Sequence, residues 1–418
     1  MTRRAFEGYL EKVFDFPALV AQLPEGRQSP QHACQKVFAA LFLGAACQMA
    51  SLHQVERECR DGALAHRIGP ISEDTFRYAL QRLAPAAVFA LGCAVARQLK
   101  RNGLLRAERL GGLVVAAVDG VEICSSYVRC CEACLERTVE RMVDGARRAE
   151  VQYYHRIVGV AVVSTPFPIV LGIRFQAKGE GEVSCALALL RDLVARLGRR
   201  FLDVVVADAL YLQTSTVAAL EALGLDWVCT VKENQPELLA EVERLTSGAS
   251  AIDETAASGD VQVWHGPEVY WAAAARAVRV VKTLRTQTKR RLTVQRDGDQ
   301  RTLRKVAVAE RSTNIYASNL ALVTMPPAVL AQVGRSRWRI DTEVFQTLTT
   351  QCHLKRPSVH QHHDQALVVL TMIRALAYTL VLVFYHRQVL SRCRHGPPGF
   401  GDLARRLTGE GPKGPDSS

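Results

Sequence analysis

At 418 residues, and roughly 100–200 residues to a domain, the chain is long enough for two to four modules around a sizeable core, which excludes a peptide or a lone binding motif. Hydrophobic residues make up 48% of it and charged residues 22%, near the average for soluble globular chains, which excludes wholesale disorder. Lys and Arg number 53 against 41 acids, a net charge of +12 that favours a polyanionic partner, most simply nucleic acid, over a cationic one.

The opening MTRRAFEGYLEKVF has no unbroken apolar run and no small-residue cleavage site, so a cytoplasmic location is expected. Twelve Cys in such a chain read as thiols or metal ligands, not as a disulfide framework. Residues 1–110 read as a helical N-terminal region. QKVFAALFLGAACQM carries apolar residues at helical spacing, and Ser51 with Gln54 and Ser72 with Thr75 sit where N-caps belong. This region either holds DNA or serves as a scaffold, since no helix in it has a helix-turn-helix signature.

From 113 the pattern changes. LVVAAVDG reads as a buried central strand with Asp119 at its C-terminal edge. IVGVAVVS (157–164) and IVLGIRF (169–175), separated by Thr-Pro-Phe-Pro, read as a hairpin beside it. A helix (183–198), a strand (202–208), a helix (214–224) and a strand (226–232) follow. That alternation implies a partly parallel sheet with active groups at the carboxyl ends of its strands, where Asp208 also lies.

Residues 236–330 read as an irregular β-rich insertion. Its stretch 276–311 holds twelve Lys/Arg against three acids, nine of the chain's net positive charges, and is expected to form a phosphate-binding surface. Helix returns at 335–350 and 364–390. The most apolar stretch, 367–384, is 18 residues long with Arg374 near its middle, and reads as a buried core helix, not a membrane span. The Gly/Pro-rich end, 393–418, is expected to be a disordered tail.

Asp119, Asp208 and the pair Asp341/Glu343 lie on separate elements, and carboxylates that converge in this way hold two divalent cations for phosphoryl transfer. The alternative for each strand-end aspartate is a turn cap. The blocks AVDG, VVADALYLQT, VKENQPEL and SRWRIDTEVF, in that order, resemble bacterial insertion-sequence transposases of the DDE class, in particular those with a Tyr-Arg-Glu-Lys third block and a β-rich insertion. The resemblance covers about 110–385.

The resemblance implies an RNase H-like α/β core, in segments 111–235 and 331–392, interrupted by the insertion at 236–330. It implies Asp119 and Asp208 as the first two catalytic carboxylates, binding Mg²⁺ for which Mn²⁺ may substitute. For the third, both Asp341 and Glu343 have a claim, and the longer side chain of Glu343 favours it slightly. Arg337 is expected to clamp phosphate, Trp338 either to stack on a base or to lie in the core, and Lys232, Lys289, Arg290 and Arg291 to meet DNA. The family's Tyr falls at Gly334 and its Lys is absent, with Lys355 a distant substitute, which raises the alternative of an inactivated, DNA-binding descendant. The implied partners are transposon-end and target double-stranded DNA and a second copy of the chain. The implied setting is a bacterial cytoplasm, at the nucleoid when DNA is bound.

Cys131-x2-Cys134 has the spacing of half a structural Zn²⁺ site, with Cys124 and Cys130 nearby and Tyr153-Tyr154-His155 following. His360, His362 and His363 are assigned no role, because a polar loop at a helix start explains them as well.

Overall fold

A computed structural model describes residues 2–105, 110–143, 145–248, 252–256, 259–266, 268–297, 300–355, 359, 364–390 and 399–409. In chain order its first helices are α1 (Arg3–Phe14), α2 (Phe16–Ala21), α3 (Cys34–Ala46), α4 (Leu52–Arg60), α5 (Ala65–Ile68), α6 (Glu73–Arg82) and α7 (Pro85–Arg101). Strands β1 (Val115–Ser126), β2 (Leu135–Val143), β3 (Ala146–Val162) and β4 (Ile169–Phe175) follow, then α8 (Glu182–Leu197), β5 (Val204–Ala207), α9 (Thr214–Ala222), β6 (Asp226–Thr230) and α10 (Pro236–Thr246). Next come β7 (Ile252–Ala256), β8 (Gly259–His265), β9 (Val269–Trp271), β10 (Arg276–Asp297), β11 (Gln300–Ser318) and α11 (Pro327–Ser336). A π-helical turn, Ile340–Phe345, leads to α12 (Gln346–Thr350), α13 (Asp364–Phe384) and α14 (Phe400–Thr408).

The chain forms two compact units: Met1–Arg106, Val118–Phe201 and Trp338–Ser418 in the first, Ala107–Ala117 and Leu202–Arg337 in the second. In the first, the hydroxyls of Ser51 and Ser72 accept from the backbone N–H groups of Gln54 and Thr75, starting α4 and α6 where the sequence placed their caps. The apolar helix α13 packs among α3, α6, α7 and β4. Gln365–Val389 is long and apolar enough to cross a membrane, yet 83% of its apolar window is buried inside the fold. Arg374 is buried within it and donates to the carbonyls of His353 and Ala50. Here β3 lies between β2 and β1 and also pairs antiparallel with β4, while α8 covers β3 and β4.

In the second unit the first residues of β1 pair in parallel with β5, β5 pairs in parallel with β6, and β11-β10-β8-β7 continue the sheet antiparallel. The result is a mixed sheet flanked by helices, the RNase H-like arrangement. β5 is four β-branched or small apolar residues, all buried, as a central parallel strand requires.

Several expectations need correction. β1 does not stop at Asp119 but runs on to Ser126, because β3 pairs alongside it. The β-rich insertion, with β7 to β11, also carries helix: Pro236 at the first helical position and apolar Leu238 and Val242 on one face start α10, and Pro327 starts α11 in the same way. The helix expected at 335–350 is divided by the π turn. The end of the chain is not wholly without order, since α14 buries Leu403, Ala404 and Leu407. His360, His362 and His363 lie outside the described residues.

Candidate catalytic site

The β1–β5 ladder fixes the second acidic position. Val115, Ala116 and Ala117 pair with Val204, Val205 and Val206, and Asp203 accepts from the Val114 N–H at 2.7 Å to start the register. β5 ends at Ala207. Asp208 follows, half-buried, and its Oδ1 accepts from the Leu210 N–H at 2.8 Å, so it caps the 3₁₀ turn Ala209–Tyr211. Capping one oxygen leaves the carboxylate its full charge, so the cap and a metal-binding role are compatible.

That turn is clamped by the VKENQ block. Asn234 Nδ2 donates to the Ala209 carbonyl and Gln235 Nε2 to the Leu212 carbonyl, both at 2.7 Å. Gln235 Oε1 in turn accepts from the indole of Trp271 at 2.9 Å. The sequence reading singled out Lys232 from this block. Lys232 is exposed, and the two amides beside it do the positioning.

Asp119 is half-buried in β1, with Oδ1 accepting from the Gly120 N–H at 2.8 Å. A Cβ on Gly120 would stand 2.5–2.6 Å from the Glu182 carboxylate, so a side chain there would displace that carboxylate. Glu182 pairs with Arg156, Arg156 with Glu122, and Glu122 with Arg137. Residues alternate faces along a strand, which puts this ionic network on the face of β1 away from Asp119.

The third acidic block lies on the π turn. Both oxygens of Glu343 accept from Arg339, at 2.7 and 2.9 Å, and Arg339 also donates to the carbonyls of Val163, Thr165 and Pro166. The Tyr378 hydroxyl donates to the Glu343 carbonyl at 2.9 Å, and burial with the Glu343 charge raises its proton affinity. Asp341 is half-buried two residues earlier, about half a turn away around the π helix, so the two acids face different directions.

Arg337 is half-buried at the end of α11, and Trp338 is 52% exposed, which removes the reading of Trp338 as a core residue. Where the family's Tyr falls, a Cβ on Gly334 would meet the Tyr316 ring at 2.4 Å, so that space is already filled by an aromatic from β11. Burial pushes the Tyr316 hydroxyl up to about 12.

The basic stretch is thinner than its residue count implies. Arg276 pairs with Glu221, Lys282 with Glu243, and buried Arg279 donates to the carbonyls of Leu320, Ala321 and Met325. Arg290 is exposed on β10. Lys289 and Arg291 flank it, and their side chains lie outside the described residues.

The family model of the transposase DDE domain matches residues 144–380, more than half of the chain. The chain belongs to this family. Among curated proteins none matches it. The matched stretch takes in Asp208 with its amide clamp, Arg337, Asp341 and Glu343, whereas Asp119 precedes it. Transposases of this family cleave DNA and generally work with divalent cations.

Proposed function

We propose that this transposase belongs to an insertion sequence, cuts the element's ends and joins them to target DNA, with Asp119, Asp208 and one acid of the Ile340–Phe345 turn as its catalytic carboxylates. The observation that carries the reading is the Asp208 turn: it follows the buried parallel strand β5, is clamped by the Asn234 and Gln235 amides, and lies within the stretch that matches the transposase DDE domain.

The donor set fits the cations. Carboxylate oxygens are the hard ligands that Mg²⁺ and Mn²⁺ prefer, and Asp119, Asp208 and Glu343 or Asp341 would hold two such ions. Bound there, the ions would stabilise charge on the attacking and leaving oxygens of an in-line displacement. Asn234 and Gln235 hold the backbone that carries Asp208. Arg337 offers a planar fork to phosphate, exposed Trp338 a stacking face, and Lys232, Lys289, Arg290 and Arg291 further positive charge. Glu343 serves only if the Arg339 fork gives up an oxygen, and Asp341 is the acid that takes its place otherwise. Two ends must be brought together, so the working species is a homodimer on double-stranded DNA, in the cytoplasm.

Strand-transfer assays in Mg²⁺ on Asp119→Asn, Asp208→Asn, Asp341→Asn and Glu343→Gln test this. Loss of joining is expected in the first two and in one of the last two, and full activity in Asp119→Asn or Asp208→Asn overturns the assignment. The engagement of Glu343 by Arg339 favours a second reading, a non-catalytic DNA-binding descendant. It predicts salt-sensitive binding by the unmodified protein with no cleavage in Mg²⁺ or Mn²⁺. Cut but unjoined products instead identify a nuclease.

A further inference from the structure

We propose that Cys131, Cys134 and His155 form a zinc site that ties the loop before β2 to β3. The three ligand atoms face one another: Cys131 Sγ and Cys134 Sγ lie 3.6 Å apart, and His155 Nε2 lies 3.2 and 3.4 Å from them. Tetrahedral Zn²⁺, with bonds of about 2.3 Å to sulfur and about 2.0 Å to nitrogen, places two sulfurs about 3.8 Å apart and a sulfur and a nitrogen about 3.5 Å apart. The observed triangle is within a few tenths of an ångström of that. A disulfide needs sulfurs about 2.05 Å apart, and these two cysteines are unbonded.

The surroundings are those of a ligand set. Cys134 and His155 are buried and Cys131 half-buried. The Cys131–Cys134 turn is closed by the Cys134 N–H donating to the Cys131 carbonyl at 3.1 Å, and the Cys131 N–H points at Cys134 Sγ at 3.3 Å, a bond that supports thiolate charge. On the opposite strand, β2 and β3 pair with Leu135 against Tyr154, which brings His155 beside Cys134. The edge of the His155 ring meets Phe175, centroids 5.6 Å apart, which fixes its orientation. Two thiolates and an imidazole select zinc over the hard cations that carboxylates hold. Cys124, on β1, donates to the Leu354 carbonyl.

The site uses none of the proposed carboxylates as a ligand, and the proposal does not depend on them. Metal analysis of the full chain purified with reduced thiols is expected to find about one zinc per chain. Cys131→Ser, Cys134→Ser and His155→Ala should each bring it to background, while Cys130→Ser keeps it. Replacement by Co²⁺ should give a sulfur-to-cobalt charge-transfer band. Because a variant can fail to fold, alkylation of the unmodified protein gives a second readout: two thiols become reactive only after chelation. A chain that purifies metal-free and takes up neither Zn²⁺ nor Co²⁺ overturns the proposal, as does full zinc in the Cys131→Ser/Cys134→Ser double variant.

Discussion

The turn that carries Asp208 and the turn that carries Glu343 hold their acids by different means. Asp208 is set by its own backbone, with Asn234 and Gln235 bonding the carbonyls around it, whereas both oxygens of Glu343 rest on the guanidinium of Arg339. Neutral amides fix a position and leave its charge whole. A guanidinium fixes a position by neutralising it, so an acid held in that way must be released before it can serve a cation. One carboxylate, at the head of a 3₁₀ turn, is thus held by neutral donors, and the other, within a π turn, by a cation.

The largest test of this contrast is Asp208→Asn, which keeps the cap and removes the charge. Strand transfer should fall on the order of 10³-fold while thermal stability stays put. Equal stability and equal activity would break the contrast on its first side. Next are Asn234→Ala and Gln235→Ala, which keep the carboxylate but loosen its turn. Joining rates should drop about tenfold to a hundredfold, the usual effect of losing a supporting shell, with a matching rise in the metal concentration needed.

On the other side, Arg339→Ala leaves three carbonyls and a carboxylate without their donor. It should lower stability by about 2–3 kcal/mol, read as a fall in melting temperature, and Arg339→Lys should recover only part of that because it lacks the fork. Tyr378→Phe removes one bond to the Glu343 carbonyl and should lower stability by about 1 kcal/mol. The smallest effect is one of pH. The Arg276 fork, with the Trp227 indole, holds the Glu221 carboxyl below its ordinary range. Its contribution is present above the ordinary glutamate pKa and is lost as pH falls through the depressed one. The difference between the unmodified protein and Glu221→Gln, under about 1 kcal/mol at neutral pH for a pair one-third exposed, should vanish in acid.

What the sequence makes legible follows from what local pattern encodes. Serine caps, the apolar runs of β1 and β5 and the order of acidic blocks are local, and Ser51, Ser72, Asp119 and Asp208 could each be picked out from a few neighbours. His155 could be noted after the Cys131/Cys134 pair, but that its ring meets both sulfurs is set by the register of β2 on β3, which no local pattern encodes. The amide clamp was hidden for the same reason: Asn234 and Gln235 act on carbonyls more than 20 residues away. The engagement of Glu343 required knowing that Arg339 points toward the β3–β4 turn. The basic stretch misled in the opposite sense, since a tally of charges does not reveal that Arg276, Arg279 and Lys282 are used up inside the fold.

The first unit is assembled from three separate stretches of chain, and α13 lies more than 250 residues after the helices it covers. At ribosomal speeds of about 5–20 residues per second, the apolar sides of α3 and α7 wait on the order of tens of seconds for that covering to emerge. During synthesis the nascent helices are therefore a natural target for chaperones, and a ribosome that stalls after the second unit leaves a product with its stickiest surface bare.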